Sequence, residues 1–325
     1  MNKLQASRFT WLLLAASLAA GAASLAGPRL GLMFDPGVKQ IRPLLGIPGA
    51  ATMGEPLRLT VEIERAWVAP GQDYALAVEK GDGKVLLISL GNAGVSAAPV
   101  TAAAPAPARV VWSASGSVAA FYYARTKSIE VLKSVPAGPR IATSLYLSGI
   151  PAVLAVDDDG RTVVAGVGDT VFLVSDSGEV PVLTGLGKIG AIAFGARNTA
   201  LVADTARNKI YVVRDVTGNP DAEIIAAHEA GIDQPVAIAA SRDKRFAFVA
   251  NVKSKSIAII DLMTRAHSLV SCACEPATLE RIGGGELFRL TQITDRPLWV
   301  LDAGAHEPRT LFIPANTVSE RSSAQ

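Results

Sequence analysis

Three kinds of residue in this chain have the types and spacing for chemistry: a cysteine pair, a carboxylate run and a spaced set of histidines. Cys272 and Cys274, within VSCACEPATLERIGG (270–284), are the only two cysteines. In an extended strand, residues i and i+2 face the same side. Their Cα atoms then lie about 6.5 Å apart, near the upper limit for a disulfide. Three readings stay open: a local disulfide or redox pair, two free thiols, or a soft-metal site completed by His267. A thioredoxin-type role wants Cys-x-x-Cys at a helix start, and that spacing is missing. The run VDDDGR (156–161) invites calcium, but an EF-hand-type loop needs alternating acids and a bidentate acid downstream, which it lacks. Turn geometry is the better reading of its Asp and Gly residues. His228, His267 and His306 are spaced by 39 residues. If that step is one structural repeat, they stand apart in space, and no metal site is expected. No GxSxG, phosphate loop or dinucleotide fingerprint occurs, so neither a serine hydrolase motif nor a cofactor is indicated.

The elements that must position these residues come from an internal repeat. RFAFVANVKSKSIAIIDLMT, TALVADTARNKIYVVRDVTG, SVAAFYYARTKSIEVLKSVP and DYALAVEKGDGKVLLISLGN share one form. Each is an apolar alternating run, a polar turn and a second alternating run, which is a β-hairpin signature. The second runs begin at Val85, Ile129, Val171, Ile210, Ile257 and Leu298, at spacings of 44, 42, 39, 47 and 41. A short run before each hairpin and another after it make four strands per unit. A period near 40 to 45 with four strands is the signature of propeller blades.

In SRDKRFAFVANVKSKSIAIIDLMT, Phe248–Asn251 and Ile257–Asp261 carry a pattern that resembles the YVTN-type and NHL-type β-propeller repeats. The resemblance runs from about Trp67 to Pro314. It implies fold and little about activity, since this scaffold hosts unrelated functions. PLLGIPGA near the start and PLWVLDA near the end are similar to stretches of a group of secreted bacterial propellers, which adds no activity. The expected fold class is therefore all-β: a propeller of four-stranded blades, seven in number, with six as the alternative. Residues 67–318 hold six clear units. Residues 27–66 offer three further strands, RLGLMF, VKQIRPLLG and PLRLTVEIE, and look like the outer half of an irregular first blade. Residues 319–325 read as a disordered tail.

In propeller enzymes, ligands and catalytic groups gather at the mouth of the central channel. The expected inner strands are RAWVA, RVVWS, AVLAV, GAIAF, PVAIA and ATLER, mostly apolar and small. Trp67 and Trp112 stand near equivalent inner-strand positions of adjacent units. They would either pack between blades or offer a stacking surface to a sugar or peptide. Glu280 and Arg281 are the charged pair at the channel entrance. These four are the candidate binding residues; none is assigned as catalytic.

Residues 1–26 read as a secretory signal, with Lys3 and Arg8 ahead of FTWLLLAASLAA and small residues Ser24 and Ala26 before a cut. Pro28 follows Gly27, where a lipoprotein would carry cysteine. Cleavage and release are expected, with no membrane span in the mature chain; an uncleaved anchor is the alternative. Without residues 1–26 the chain carries 29 basic and 29 acidic residues. That balance argues against nucleic acid or an anionic membrane as partner. The expectation is a periplasmic or extracellular, non-catalytic binding or scaffolding module for a protein or small ligand of the cell envelope. A lactonase or other hydrolase at the channel mouth is the alternative, and a redox or metal-handling subunit using the cysteines is the weaker one.

Overall fold

Strands in this chain bury both faces. The second strands of the blades, such as Tyr74–Glu79, Ala119–Tyr123 and Phe246–Asn251, are almost wholly buried. A strand of that kind needs apolar cover on each side, which a radial stack of twisted sheets supplies. The computed structural model describes residues 28–91 and 94–315. The expected signal and the tail lie outside them. The described residues form seven antiparallel sheets, one of three strands and six of four. The protein is a seven-bladed propeller. Blade 1 spans Arg29–Met53, and blades 2 to 7 span Ile63–Pro99, Arg109–Tyr146, Val153–Leu183, Ile189–Ala226, Pro235–Ser271 and Glu280–Ile313.

The third strands begin at Val85, Ser128, Thr170, Lys209, Ser256 and Leu298, within one residue of the expected hairpin starts. The residues that carry the repeat pattern have structural work. Asn251 ends the second strand of blade 6 and is fully buried. Its Oδ1 accepts from the Asp233 N–H at 3.1 Å, and its Nδ2 donates to the Gly231 carbonyl at 3.2 Å. It thereby fixes the link that enters its own blade. Asp204 does the same in blade 5, accepting from the N–H groups of Gly187 at 2.9 Å and Lys188 at 3.2 Å. In blade 3 the Tyr123 hydroxyl donates to the Ala104 carbonyl at 2.8 Å. Asp261 accepts from the Met263 and Thr264 N–H groups at 2.9 and 3.0 Å and so caps the turn after the third strand.

Blade 1 departs from the others. Its strands are Arg29–Asp35, Gln40–Ile47 and Ala50–Met53. The turn before Gln40 ends at Lys39 with φ +51°, matching Lys127 at +51°, Asn208 at +53° and Lys255 at +51° in the turns between second and third strands. Arg29–Asp35 therefore takes the second-strand position, and among the described residues nothing occupies the inner one. The expected third strand, PLRLTVEIE, is replaced by Ala50–Met53. The Pro48–Gly49 turn, with Gly49 at φ +88°, reverses the chain earlier than the hydrophobic pattern suggests. Pairing continues loosely beyond it, through Gly54 N–H to the Pro43 carbonyl and Leu57 N–H to the Ile41 carbonyl, both 2.8 Å. Ile63 already belongs to the inner strand of blade 2.

The missing inner strand leaves a sheet edge that must be covered. Gln72, in the inner turn of blade 2, does this. Its Oε1 accepts from the Leu32 N–H at 2.5 Å, a bond an inner strand would otherwise take. A β-carbon on Gly31 would stand 3.3 Å from that Oε1 and 3.2 Å from Ile282 Cβ of blade 7, so glycine permits the three-way approach. Behind it, Met33, Leu44 and Ala51 of blade 1 pack with Ile282, Leu287, Leu298 and Val300 of blade 7 and close the ring. A buried ion pair within blade 1, Arg42 to Asp35 at 3.1 Å, adds a bond from Arg42 Nε to the Gly54 carbonyl.

Cys272 and Cys274 form a disulfide. The chain bends after Ser271, bringing their Cα atoms to 5.0 Å instead of the extended-strand spacing. Both cysteines are buried in the apolar layer between blades 6 and 7.

Two outcomes follow from these contacts. Gln72→Ala leaves the buried Leu32 N–H without a partner and should lower unfolding stability by about 1–3 kcal/mol in chemical denaturation. Removing both cysteines, as Cys272→Ala with Cys274→Ala, should cost only about 1–2 kcal/mol, because the loop they close is so short. A thiol assay on the unreduced wild-type protein should find no free thiol.

Candidate functional site

The inner strands of blades 2 to 7 and the first strand of blade 1 enclose a central channel of about 640 Å³. Its wall is chiefly Ala, Val, Ile and Leu. The reason is steric: inner strands converge on the axis and alternate residues pack into the blade junctions on either side, where small apolar side chains fit. Ala191 and Ala193 pack toward blade 6, and Ile192 and Phe194 toward blade 4.

Trp67 and Trp112 come together at the junction of blades 2 and 3 and also line the channel. Trp112 Nε1–H donates to the Trp67 carbonyl at 3.1 Å. The Trp112 ring meets Tyr74 edge-on at 5.6 Å, and the Arg65 guanidinium lies 5.6 Å from the centre of the Trp67 ring. Both tryptophans are partly buried, so they pack in the layer between blades 2 and 3 and also contribute to the channel wall. Burial, with Asp73 nearby, pushes the Tyr74 phenol up to about 12, and its hydroxyl donates to the Gly116 carbonyl at 2.8 Å.

Glu280 and Arg281 lie on the inner strand of blade 7, but each has its own partner. Glu280 pairs with Arg289. Arg281 pairs with Glu286 at 2.5 Å, donates to the Ala240 carbonyl of blade 6 at 2.9 Å and lies 4.6 Å over the Phe288 ring. Its charge is used in joining two blades.

The residue that the sequence reading passed over is Lys244, in the inner turn of blade 6, which reaches the same channel. Burial pulls its ammonium below the usual lysine range, while Asp158 opposes the shift and Arg281 adds to it. Among the described residues no carboxylate lies within 4.0 Å of it. Asp158, from the VDDDGR turn, is held by the Ser115 N–H at 2.7 Å. Partial burial would raise its carboxyl, but the bonds from Ser115 and Ser113, helped by the nearby Lys244 charge, win and hold it below the usual range. Asp157 and Asp159 bond to backbone N–H groups of their own turn, as turn chemistry requires. The hint of Lys244 in the sequence is a lysine in a turn where blades 2 to 5 carry Gln, Gly, Gly and Asn.

The histidines do not converge. His228 sits in a one-turn 3₁₀ helix after the outer strand of blade 5, His267 begins the outer strand of blade 6, and His306 precedes that of blade 7. Among the described residues no three His, Cys, Asp or Glu side chains stand together as a metal site. No described helix is long and apolar enough to cross a membrane.

No protein-family model matches the chain. No curated protein sequence matches it either. Solved structures do share its fold. A functionally unknown protein from Desulfotomaculum acetoxidans is similar at a TM-score of 0.59 and 10% identity, over 88% of this chain and 99% of that one. A streptogramin B lyase is similar at 0.55 and 14% identity, over 79% of this chain and 86% of the lyase. The β-propeller domain of Cps50 (Swd1) from Myceliophteria thermophila is similar at 0.55 and 12% identity, over 78% of this chain and 87% of that domain. At these identities the likeness is one of fold, and it places the chain among the seven-bladed propellers.

Proposed function

We propose that this protein is an exported, non-catalytic binding module of the cell envelope that receives a small, largely apolar ligand in its central channel. The observation that carries the reading is the channel itself: about 640 Å³, lined mainly by apolar side chains with Arg109, Lys244, Glu280, Arg281 and Arg289 among them, and with Trp67 and Trp112 along one side. That size and lining suit a drug-sized apolar body. Export is supported by the pattern of residues 1–26 and by the Cys272–Cys274 disulfide, which suits an oxidising compartment. A YVTN/NHL repeat type is supported by Phe248–Asn251 and Ile257–Asp261, whose Asn and Asp make the bonds that tie turn and link to the blade. The cysteines are 5% and 8% exposed, which favours a staple over redox exchange.

A second reading, a propeller enzyme, has one observation in its favour. Lys244 is a half-buried amine of lowered proton affinity at the channel mouth, the setting of catalytic lysines. Turnover of an acyl or lactone substrate that ends on Lys244→Met would establish it.

Two measurements test the main reading. Titration with N-phenyl-1-naphthylamine, a neutral apolar fluorophore, should give saturable enhancement, weakened roughly fivefold in Trp112→Ala through loss of an aromatic contact of about 1 kcal/mol. A folded protein with no saturable binding would sink the channel reading. The amino terminus of protein recovered from the cell envelope should be Gly27; a cytoplasmic chain starting at Met1 would end the export proposal.

A further inference from the structure

The inner turns of the blades share one backbone requirement. Gln72, Gly116, Gly160, Asn198 and Lys244 hold equivalent places between inner and second strands, with φ of +66°, +81°, +65°, +56° and +61°. In this left-handed region a β-carbon is disfavoured, and Gly or Asn is the default. Three of these five blades use that default. Gln72 departs from it and closes the edge of blade 1. Lys244 departs from it too, yet its ammonium closes nothing: no hydrogen bond or ion pair to it exists among the described residues, and it reaches the lining of the channel. Lysine takes this conformation elsewhere, at Lys39, Lys127 and Lys255 in turns between second and third strands, but only at Lys244 among these four does the side chain line the channel.

The neighbouring charges are already engaged. Glu286 is bound to Arg281 at 2.5 Å, and the Asp158 carboxylate accepts from the Ser115 N–H at 2.7 Å. Among the described residues Lys244 is a channel-lining cation whose ammonium has no hydrogen bond or ion pair within 4.0 Å, and Asp158 and Glu286 are the carboxylates that act on it. Those carboxylates would repel a second negative charge.

We propose that Lys244 is the anchor for the acidic head of an amphipathic monoanion, a carboxylate or sulfonate on an aromatic or aliphatic body, whose apolar part fills the channel beside Trp67 and Trp112. The proposal rests on the channel-binding reading and adds the charge of the ligand and the residue that selects it. An ammonium already partly stripped of water gives more to an anion than a solvated one does, because its desolvation has been met in folding.

The probes are 8-anilinonaphthalene-1-sulfonate, an aromatic body with one anionic head, and N-phenyl-1-naphthylamine, a similar body without it. They are titrated by fluorescence on the purified protein, on Lys244→Gly and on Lys244→Arg. Glycine is what blades 3 and 4 carry at this place, so Lys244→Gly should fold with unchanged or higher thermal stability. It should bind the sulfonate roughly tenfold more weakly, keep the neutral probe within about twofold, and Lys244→Arg should restore the sulfonate. Equal sulfonate affinity in wild type and Lys244→Gly overturns the anchor while leaving the channel reading intact. Equal losses of both probes in Lys244→Gly also overturn it, since the side chain would then shape the channel and not select charge. Failure of both probes on the wild-type protein removes the channel reading and the anchor with it.

Discussion

Everything in this molecule depends on the apolar layer between adjacent blades. A single four-stranded sheet with both faces apolar cannot stand in water; seven of them around an axis cover one another. The layers between blades 1 and 2, and so on round to blades 7 and 1, are each a continuous apolar cluster. The junction of blades 7 and 1 is the demanding one, because blade 1 brings no inner strand to it among the described residues. The ring closes there by substitution: Gln72 takes the hydrogen bond of the absent strand, and Gly31 lets three blades meet. A side-chain amide can stand in for a strand at one N–H because the edge it covers is short and Leu32 is otherwise buried.

The same layer dictates what the channel can be. Inner-strand side chains alternate into the two flanking junctions, so their identity is set by packing. An apolar wall is the consequence of ring geometry before it is a feature of any ligand. Charged residues on that wall are drawn into blade-to-blade bonds, as Arg281 is by Ala240, Glu286 and Phe288. The freedom to hold an unpaired group therefore passes to the inner turns, where the backbone is fixed but the side chain is not part of a layer.

Much of the fold was legible because its constraint repeats. The third strands were placed to within a residue from spacing alone, since every blade meets the same need for two buried faces. Blade 1 was harder for a local reason. Val61 and Leu59 continue an apolar pattern that reads as strand, while the Pro48–Gly49 turn has already reversed the chain; those side chains are partly buried against blades 1 and 2 without joining a sheet. The cysteine spacing was judged from an extended chain, and a bend after Ser271 made the geometry easier. At the site, Trp67 and Trp112 are legible as neighbours because they stand near equivalent inner-strand positions; Ala69 matches Ser113, so the two are offset by one residue and both turn into the layer between blades 2 and 3. Glu280 and Arg281 stood out as charged residues on an inner strand, but sequence does not show that a charge is already satisfied.

Lys244 was illegible for the complementary reason. SRDK reads as one more polar turn, and the polar turns of this chain are mostly turns and nothing else, as VDDDGR is. What distinguishes Lys244 is the relation among three facts that no single blade contains: the left-handed backbone it shares with Gly116 and Gly160, the absence among the described residues of a hydrogen bond or ion pair to its ammonium, and the channel it lines while Asp158 and Glu286 act on it from two other blades. In a closed ring the chemistry of a site is assembled from positions about forty or eighty residues apart, each unremarkable in its own repeat. A reading that asks which residue breaks the rule of its repeat position, and whether the structure uses the exception, separates Gln72, which the fold consumes, from Lys244, which it does not.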